Sequence, residues 1–223
     1  MMILEKNREQ WNKIYQKETK LLPIDNDIKE ITILFKKKNV KKILDLACGS
    51  GRHVLYLTEN GFDVHGIDIS DKGIEIANSL LKKRNLYDHL KVGSMYDNLP
   101  FENNYFDAII CIRALNHGTI EEIRNGIKEI ERVLKSHGIL YLTVRKRISK
   151  IKRLPFNEIA PRTYMPIEGD EKGIIHYLFN IKILRKEFKN FLIKKLWIKY
   201  GPKSWEAYYH LLGELKEKNT FQL

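Results

Sequence analysis

The feature that most constrains this chain is a rhythm. From residue 41 to residue 144, short apolar runs alternate with segments whose apolar residues recur every three or four positions. KKILDLA, FDVHGID, LKV, YFDAIICI and ILYLTV read as strands, YFDAIICI apolar enough to be covered on both faces. Between them, His53 to Glu59 reads as a helix with Gly61 as its stop. Ser70 caps a helix to about Arg84, burying Ile74, Ile76, Ala77, Leu80 and Leu81. Thr119 caps another through Ile123, Ile127, Ile130, Val133 and Leu134, followed by a turn at SHG. Ahead of the rhythm lie two more helical patterns: residues 4–17 with Trp11, Ile14 and Tyr15, then Ile28, Ile31, Leu34 and Phe35 behind a cap at Asp25 or Asn26. Strands alternating with helices close as a parallel sheet covered on both faces.

After Arg145 the rhythm fails. RKRISKIKRLPFNEIAPRTYMPIEGDEKG is basic, punctuated by proline and too long for an ordinary connection. A helix around Ile181 to Phe188 follows, and FLIKKLWIKY and WEAYYHLLGEL read as a closing strand pair. With no repeat, low-complexity tract or linker, the expected organisation is one domain: N-terminal helices over 1–40, a core over 41–146, an inserted cap over 147–180 and the closing elements over 181–223.

The 223 residues include 40 Lys and Arg against 28 Asp and Glu, a formal net charge of +12. That surplus suits an anionic partner such as RNA, while its spread along the chain suits a solvated surface. The densest basic run, Arg145, Lys146, Arg147, Lys150, Lys152 and Arg153, carries no stacking-aromatic pattern. Cys48 and Cys111 match neither a disulfide framework nor a zinc spacing, so no metal site is expected and the setting is a reducing cytoplasm. Charges at Glu5, Lys6, Arg8 and Glu9 break any signal-peptide core near the start, and no apolar run approaches the roughly 20 residues of a membrane helix.

The chemistry concentrates in ILDLACGSGRHVLYL, residues 43–57, where a strand gives way to glycines and then a helix. A triphosphate loop needs Gly-Lys-Ser/Thr, but Gly51 is followed by Arg52 and His53. A dinucleotide loop needs a third small residue where Val54 stands. Asp45 ends the strand, and a carboxylate there repels a diphosphate and attracts a cation. Asp68 ends the next strand, where an acid grips the vicinal hydroxyls of a ribose. A positively charged nucleoside without phosphate meets both demands.

At these residues the chain resembles the class I S-adenosylmethionine-dependent methyltransferases. ILDLACGSGR is similar to their first motif and VHGIDIS to their second-strand motif. GSMYDNLPFENNYFDAIICIRALNHG with IKEIERVLKSHGILYLTV resembles the stretch through their fifth strand. The likeness runs from Trp11 to about Val144. It implies a doubly wound, mostly parallel seven-stranded α/β sheet, the Rossmann-like methyltransferase fold, with a cap inserted after the fifth strand. It also implies S-adenosylmethionine as cofactor. Asp45, Ala47, Gly49 and Gly51 would surround the methionine moiety and sulfonium, Asp68 the ribose, and Ile69, Ser94 and Met95 the adenine. Cys111 and Arg113 would lie under the methionine part, and Trp11 and Tyr15 would lid the cofactor. Ala47 replaces the motif's first glycine, and Ser94 replaces an acid that commonly accepts from the adenine amino group.

Methyl transfer from a sulfonium is an in-line displacement, so alignment comes first and a base matters only for an acceptor bearing a proton. His117, after the fourth strand, is the candidate base there. His176 and Tyr164 of the cap complete the candidate catalytic set, and with Tyr177 and Arg162 they are the candidate acceptor contacts. A methyltransferase acting on a small-molecule acceptor is the first expectation and a tRNA or other RNA methyltransferase the second. A non-catalytic subunit that binds the cofactor or activates a partner belongs to another class. Acceptor and oligomeric state are not legible in the residues.

Overall fold

The computed structural model describes residues 2–18, 20–87, 89–146, 156–201 and 207–218. Helices α1 (Met2–Lys17) and α2 (Asp27–Lys37) precede the alternation β1 (Lys42–Leu46), α3 (Arg52–Glu59), β2 (Asp63–Asp68), α4 (Asp71–Lys82), β3 (Leu90–Val92), β4 (Phe106–Ile112), α5 (Ile120–Val133) and β5 (Leu134–Arg145). Then come β6 (Phe156–Ala160), β7 (Thr163–Pro166), β8 (His176–Tyr177), α6 (Ile181–Glu187), β9 (Phe191–Tyr200) and β10 (Ala207–Leu215).

Seven strands form one sheet in the order β3-β2-β1-β4-β5-β10-β9. The first five are parallel, and β10 runs antiparallel to both neighbours. This is the mostly parallel seven-stranded sheet that the resemblance implied. Side chains alternate between two cores: Leu44 and Ile109 pack with Ile123 and Ile127 of α5, whereas Ile43 and Ile110 pack with Ile28 and Phe35 of α2 and Val54 of α3. The chain order reverses between β1 and β4, and a crevice opens there at the strands' carboxyl ends.

The helix entries that border this crevice are closed by side chains. Ser70 Oγ accepts from Gly73 N–H (2.9 Å), and Thr119 and Glu122 form a reciprocal capping box on α5. At α2 the cap shifts by one residue, because Asn26 makes no side-chain cap while Asp25 Oδ1 accepts from Asp27 N–H (3.1 Å).

Two readings after α5 need correction. The SHG turn lies within β5: Leu134 already pairs with Phe106, and the surplus residues before Ile139 bulge out, with His137 at φ +62°. Nor does all pattern end at Arg145: among the described residues of the cap, β6, β7 and β8 form a small antiparallel sheet. Of the basic run, Arg147, Lys150, Lys152 and Arg153 lie outside the described residues. Among the described residues no helix is long and apolar enough to cross a membrane.

Candidate functional site

At the switch point a cavity of about 380 Å³ is lined by the β1–α3 loop, the ends of β2 and β4, residues after β3, α1 and residue 171. Its floor is the glycine loop, held by Ala47 and Cys48 N–H groups donating to Ile67 O at 2.8 and 3.0 Å. Asp68 is 5% exposed, and both of its oxygens are engaged: Oδ2 accepts from Gly49 N–H and Oδ1 from Ser70 N–H, each at 2.8 Å. One carboxylate therefore ties the loop to the entry of α4. Burial raises it to about 6 despite these two donors.

Gly49 (φ +56°) has no room for a side chain, because Tyr15 of α1 fills the space a Cβ would need. Gly51 (φ +84°) is excluded from substitution by something else: a Cβ there would meet Ala77 Cβ of α4 at 2.6 Å, so this glycine serves helix packing and does not line the cavity. Ala47 adopts the same left-handed region, φ +67°, with a side chain. Ala47→Gly is expected to stabilise the protein by roughly 1 kcal/mol, read as a higher urea midpoint at unchanged slope.

Asp45 lies beneath the loop, 1% exposed, outside the cavity lining, and its Oδ2 has no hydrogen-bond partner. Burial raises it to about 7; Arg52 opposes the rise and Asp68 adds to it. Two carboxylates under one loop, one of them orphaned, make a strongly negative floor once ionised.

Two guanidiniums meet at the far side. Arg113 directly follows β4 in a left-handed conformation, φ +57°, its N–H donating to Thr143 O at 3.1 Å and Oγ1 at 2.8 Å. Its Nη2 lies 3.5 Å from Asp25 Oδ2. Arg52 donates to Pro23 O (3.2 Å), and burial together with Arg113 lowers its pKa. In the sequence, Arg52 serves only to exclude a phosphate loop. A cation as first residue of a helix opposes the helix dipole, and that signal pointed to a role outside the helix.

The roof is α1. Asn12 Oδ1 accepts from Ser70 Oγ–H (2.5 Å) and Lys72 N–H (3.1 Å), while Gln10 donates to Asp170 O (2.6 Å) and Lys17 pairs with Asp170 (3.0 Å). Trp11 packs on His117 with ring centroids 5.2 Å apart, and His176 meets His117 edge-on at 4.8 Å. Burial and the neighbouring His176 lower His117 to about 3. Behind it, His176 Nε2 is 3.2 Å from Glu171 Oε2, and Arg145 Nη1 is 3.7 Å from the same oxygen. Glu171 is held at about 2, His176 and Arg145 outweighing its burial.

The cavity thus gathers Trp11, Tyr15, Ala47, Gly49, Asp68, Ile69, Ser94, Met95, Arg113 and His117 from the expected set. Cys111 is fully buried in the core, its thiol pushed up to about 12, and does not line it. His176 stands behind His117. Tyr164 packs edge-on against Phe156 (5.1 Å) within the small sheet, and Arg162 donates to Leu178 O (2.6 Å), so both brace the cap. Asn116 does likewise, its side chain accepting from Arg145 N–H and its carbonyl from Tyr177 N–H.

Residues 43–138 match a family model described as a methyltransferase domain. An uncharacterized protein of Methanocaldococcus jannaschii is 35% identical over 130 residues, 58% of this chain and 53% of that protein. A SAM-dependent methyltransferase of Methanosarcina mazei superposes with a TM-score of 0.72 at 24% identity, covering 88% of this chain and 100% of that one. The 1,6-didemethyltoxoflavin-N1-methyltransferase of Burkholderia thailandensis, solved with 1,6-didemethyltoxoflavin and S-adenosylhomocysteine, gives 0.70 at 14% identity over 97% of this chain and 88% of that one. At these identities the solved structures establish the fold. The chain spans about half the length of the curated relatives it matches.

Proposed function

We propose that this chain, which belongs to the class I S-adenosylmethionine-dependent methyltransferases, transfers the methyl group of S-adenosylmethionine to a small-molecule acceptor. The observation that carries the acceptor class is the roof: α1 is held to α4 and to Asp170, and Trp11 covers His117, leaving a chamber in place of an open groove. The bound didemethyltoxoflavin of the Burkholderia neighbour is in keeping with this. Cys48 and Cys111, both free and buried, suit a reducing cytoplasm.

The residues fit the cofactor. The orphaned Asp45 Oδ2 supplies a negative field for a sulfonium, and the remaining lone pairs of Asp68 suit a ribose diol. Ile69 and Met95 offer apolar faces for adenine, and Arg52 with Arg113 suits a carboxylate. When bound, the cofactor supplies a methyl group made electrophilic by the sulfonium charge.

His117 is neutral at any physiological pH and too weak to strip a neutral acceptor in advance. It suffices afterwards. An acceptor hydroxyl oxygen that has just bonded to carbon is a positively charged oxonium, and its proton is acid enough to pass even to so weak a base as His117. His117→Ala is expected to slow transfer and leave cofactor affinity unchanged.

Methyl-tritiated S-adenosylmethionine, offered with the low-molecular-mass filtrate of a cell extract or with purified tRNA, tests the acceptor class. Label is expected in the filtrate. Label in tRNA instead would favour the nucleic-acid reading that the net charge of +12 suggests. Cofactor binding with no label anywhere would favour a non-catalytic subunit.

A further inference from the structure

Away from the cavity, toward the start of β2, three side chains converge. Asp63 opens β2 and His65 projects from the same face two residues on. His89 immediately precedes β3, the edge strand paired to β2. His65 Nε2 lies 3.3 Å from Asp63 Oδ1, and His89 Nε2 lies 3.8 Å from the same oxygen. The two imidazoles stack with centroids 4.6 Å apart and planes within 15°. The three candidate ligand atoms all lie within 4.8 Å of one another.

These spacings approach those of a coordination shell. Ligand atoms around tetrahedral zinc, bonded at about 2.0–2.1 Å, stand roughly 3.3 Å apart. The Asp63–His65 contact already has that separation. His89 and Asp63, 51% and 42% exposed at their side chains, can turn to close the rest. His65 is the fixed member, wedged edge-on among Phe101, Tyr105 and Phe106. Asp63 Oδ2 faces Lys42 Nζ at 3.8 Å, leaving Oδ1 to the histidines.

The cluster at the cavity, His117, Glu171 and His176, is a poorer candidate. There Arg145 Nη1 donates to His176 Nδ1 (3.4 Å), placing a cation where a metal-bound imidazole would present its own N–H.

We propose that Asp63, His65 and His89 form a binding site for a divalent transition-metal ion of the zinc class, with water completing the shell. Its effect follows from position. β3 is three residues long and forms the sheet's edge, yet it leads directly into Gly93, Ser94 and Met95 of the cavity wall. A metal joining His89 to β2 ties this short strand down where its own ladder is shortest.

Zinc chloride alone, titrated calorimetrically into the untagged full-length protein, tests the site. The protein is expected to bind one equivalent and to melt at a higher temperature in its presence. His89→Ala and Asp63→Asn, both at partly exposed positions, should weaken binding by at least about tenfold and lose the thermal shift while keeping the same far-ultraviolet spectrum. The proposal is overturned if the unmodified protein takes up no zinc, or if both variants bind it as well as the parent does, since the ion then sits elsewhere.

Discussion

Asp68→Asn is expected to weaken binding of S-adenosylmethionine by on the order of tenfold, the loss of one hydrogen bond from a ribose hydroxyl to a charged acceptor at about 1.5 kcal/mol. The carboxylate accepts from Gly49 N–H on one oxygen and Ser70 N–H on the other, both at 2.8 Å. An amide keeps one acceptor and turns its NH₂ group against the second donor, so the glycine loop and the entry of α4 are no longer held by one group. The ribose loses a charged partner in the same step. S-adenosylhomocysteine carries the same ribose and should weaken by the same factor. Calorimetry with both ligands, beside a urea melt of the free protein, separates the roles. Affinities within about threefold of the parent, together with a lower urea midpoint, would reduce Asp68 to a brace for the loop.

The core of the fold was legible because its physics is local. The 3.6-residue period of α5, its Thr119–Glu122 box and the Ser70 cap of α4 each sit within one short window. The parallel order followed from alternation of strands and helices, and the closing pair from two long apolar runs. What escaped was set by partners distant in sequence. Residues 135–138 look like a turn, and become a bulge only because Leu134 already pairs with Phe106. The small sheet of β6, β7 and β8 shows no alternation in β6, whose side chains are mostly exposed, and β8 is only two residues long.

The site divides the same way. Residues contiguous with the glycine loop and the end of β2 line the cavity largely as the motifs imply. Tyr164 was marked for its chemistry, and packing against Phe156 commits it elsewhere. Glu171 went unmarked in a polar loop, because its importance lies in Arg145 and His176, which only the fold brings to it. His65 on β2 and His89 just before the neighbouring β3 are likewise far apart in the chain, outside any metal-ligand spacing that a sequence displays.

Affinity for S-adenosylmethionine is expected to rise between pH 5 and pH 8 more steeply than affinity for S-adenosylhomocysteine. Asp45 stands at about 7 and Asp68 at about 6 in the free protein, both raised by burial. The folded state therefore holds protons that the unfolded chain has released, so in the absence of ligand these groups destabilise the protein as pH rises from about 4 through 7. A bound sulfonium reverses the preference, since a cation above two carboxylates favours their ionised forms and lowers their pKa values. Binding then releases protons, and linkage gives an affinity that climbs by up to about tenfold per pH unit for each proton released, levelling above the free protein's values. S-adenosylhomocysteine lacks the sulfonium charge and is otherwise matched, so the difference between the two slopes isolates the electrostatic part. Asp45→Asn removes the orphaned carboxylate without touching the cavity lining, and should flatten the S-adenosylmethionine profile around pH 7 while leaving the other ligand nearly unaffected. Calorimetry in buffers of different ionisation enthalpy counts the protons directly. Equal slopes for the two ligands would show that the negative floor does not sense the sulfonium, and would leave Asp45 as an acid that stays protonated under the loop.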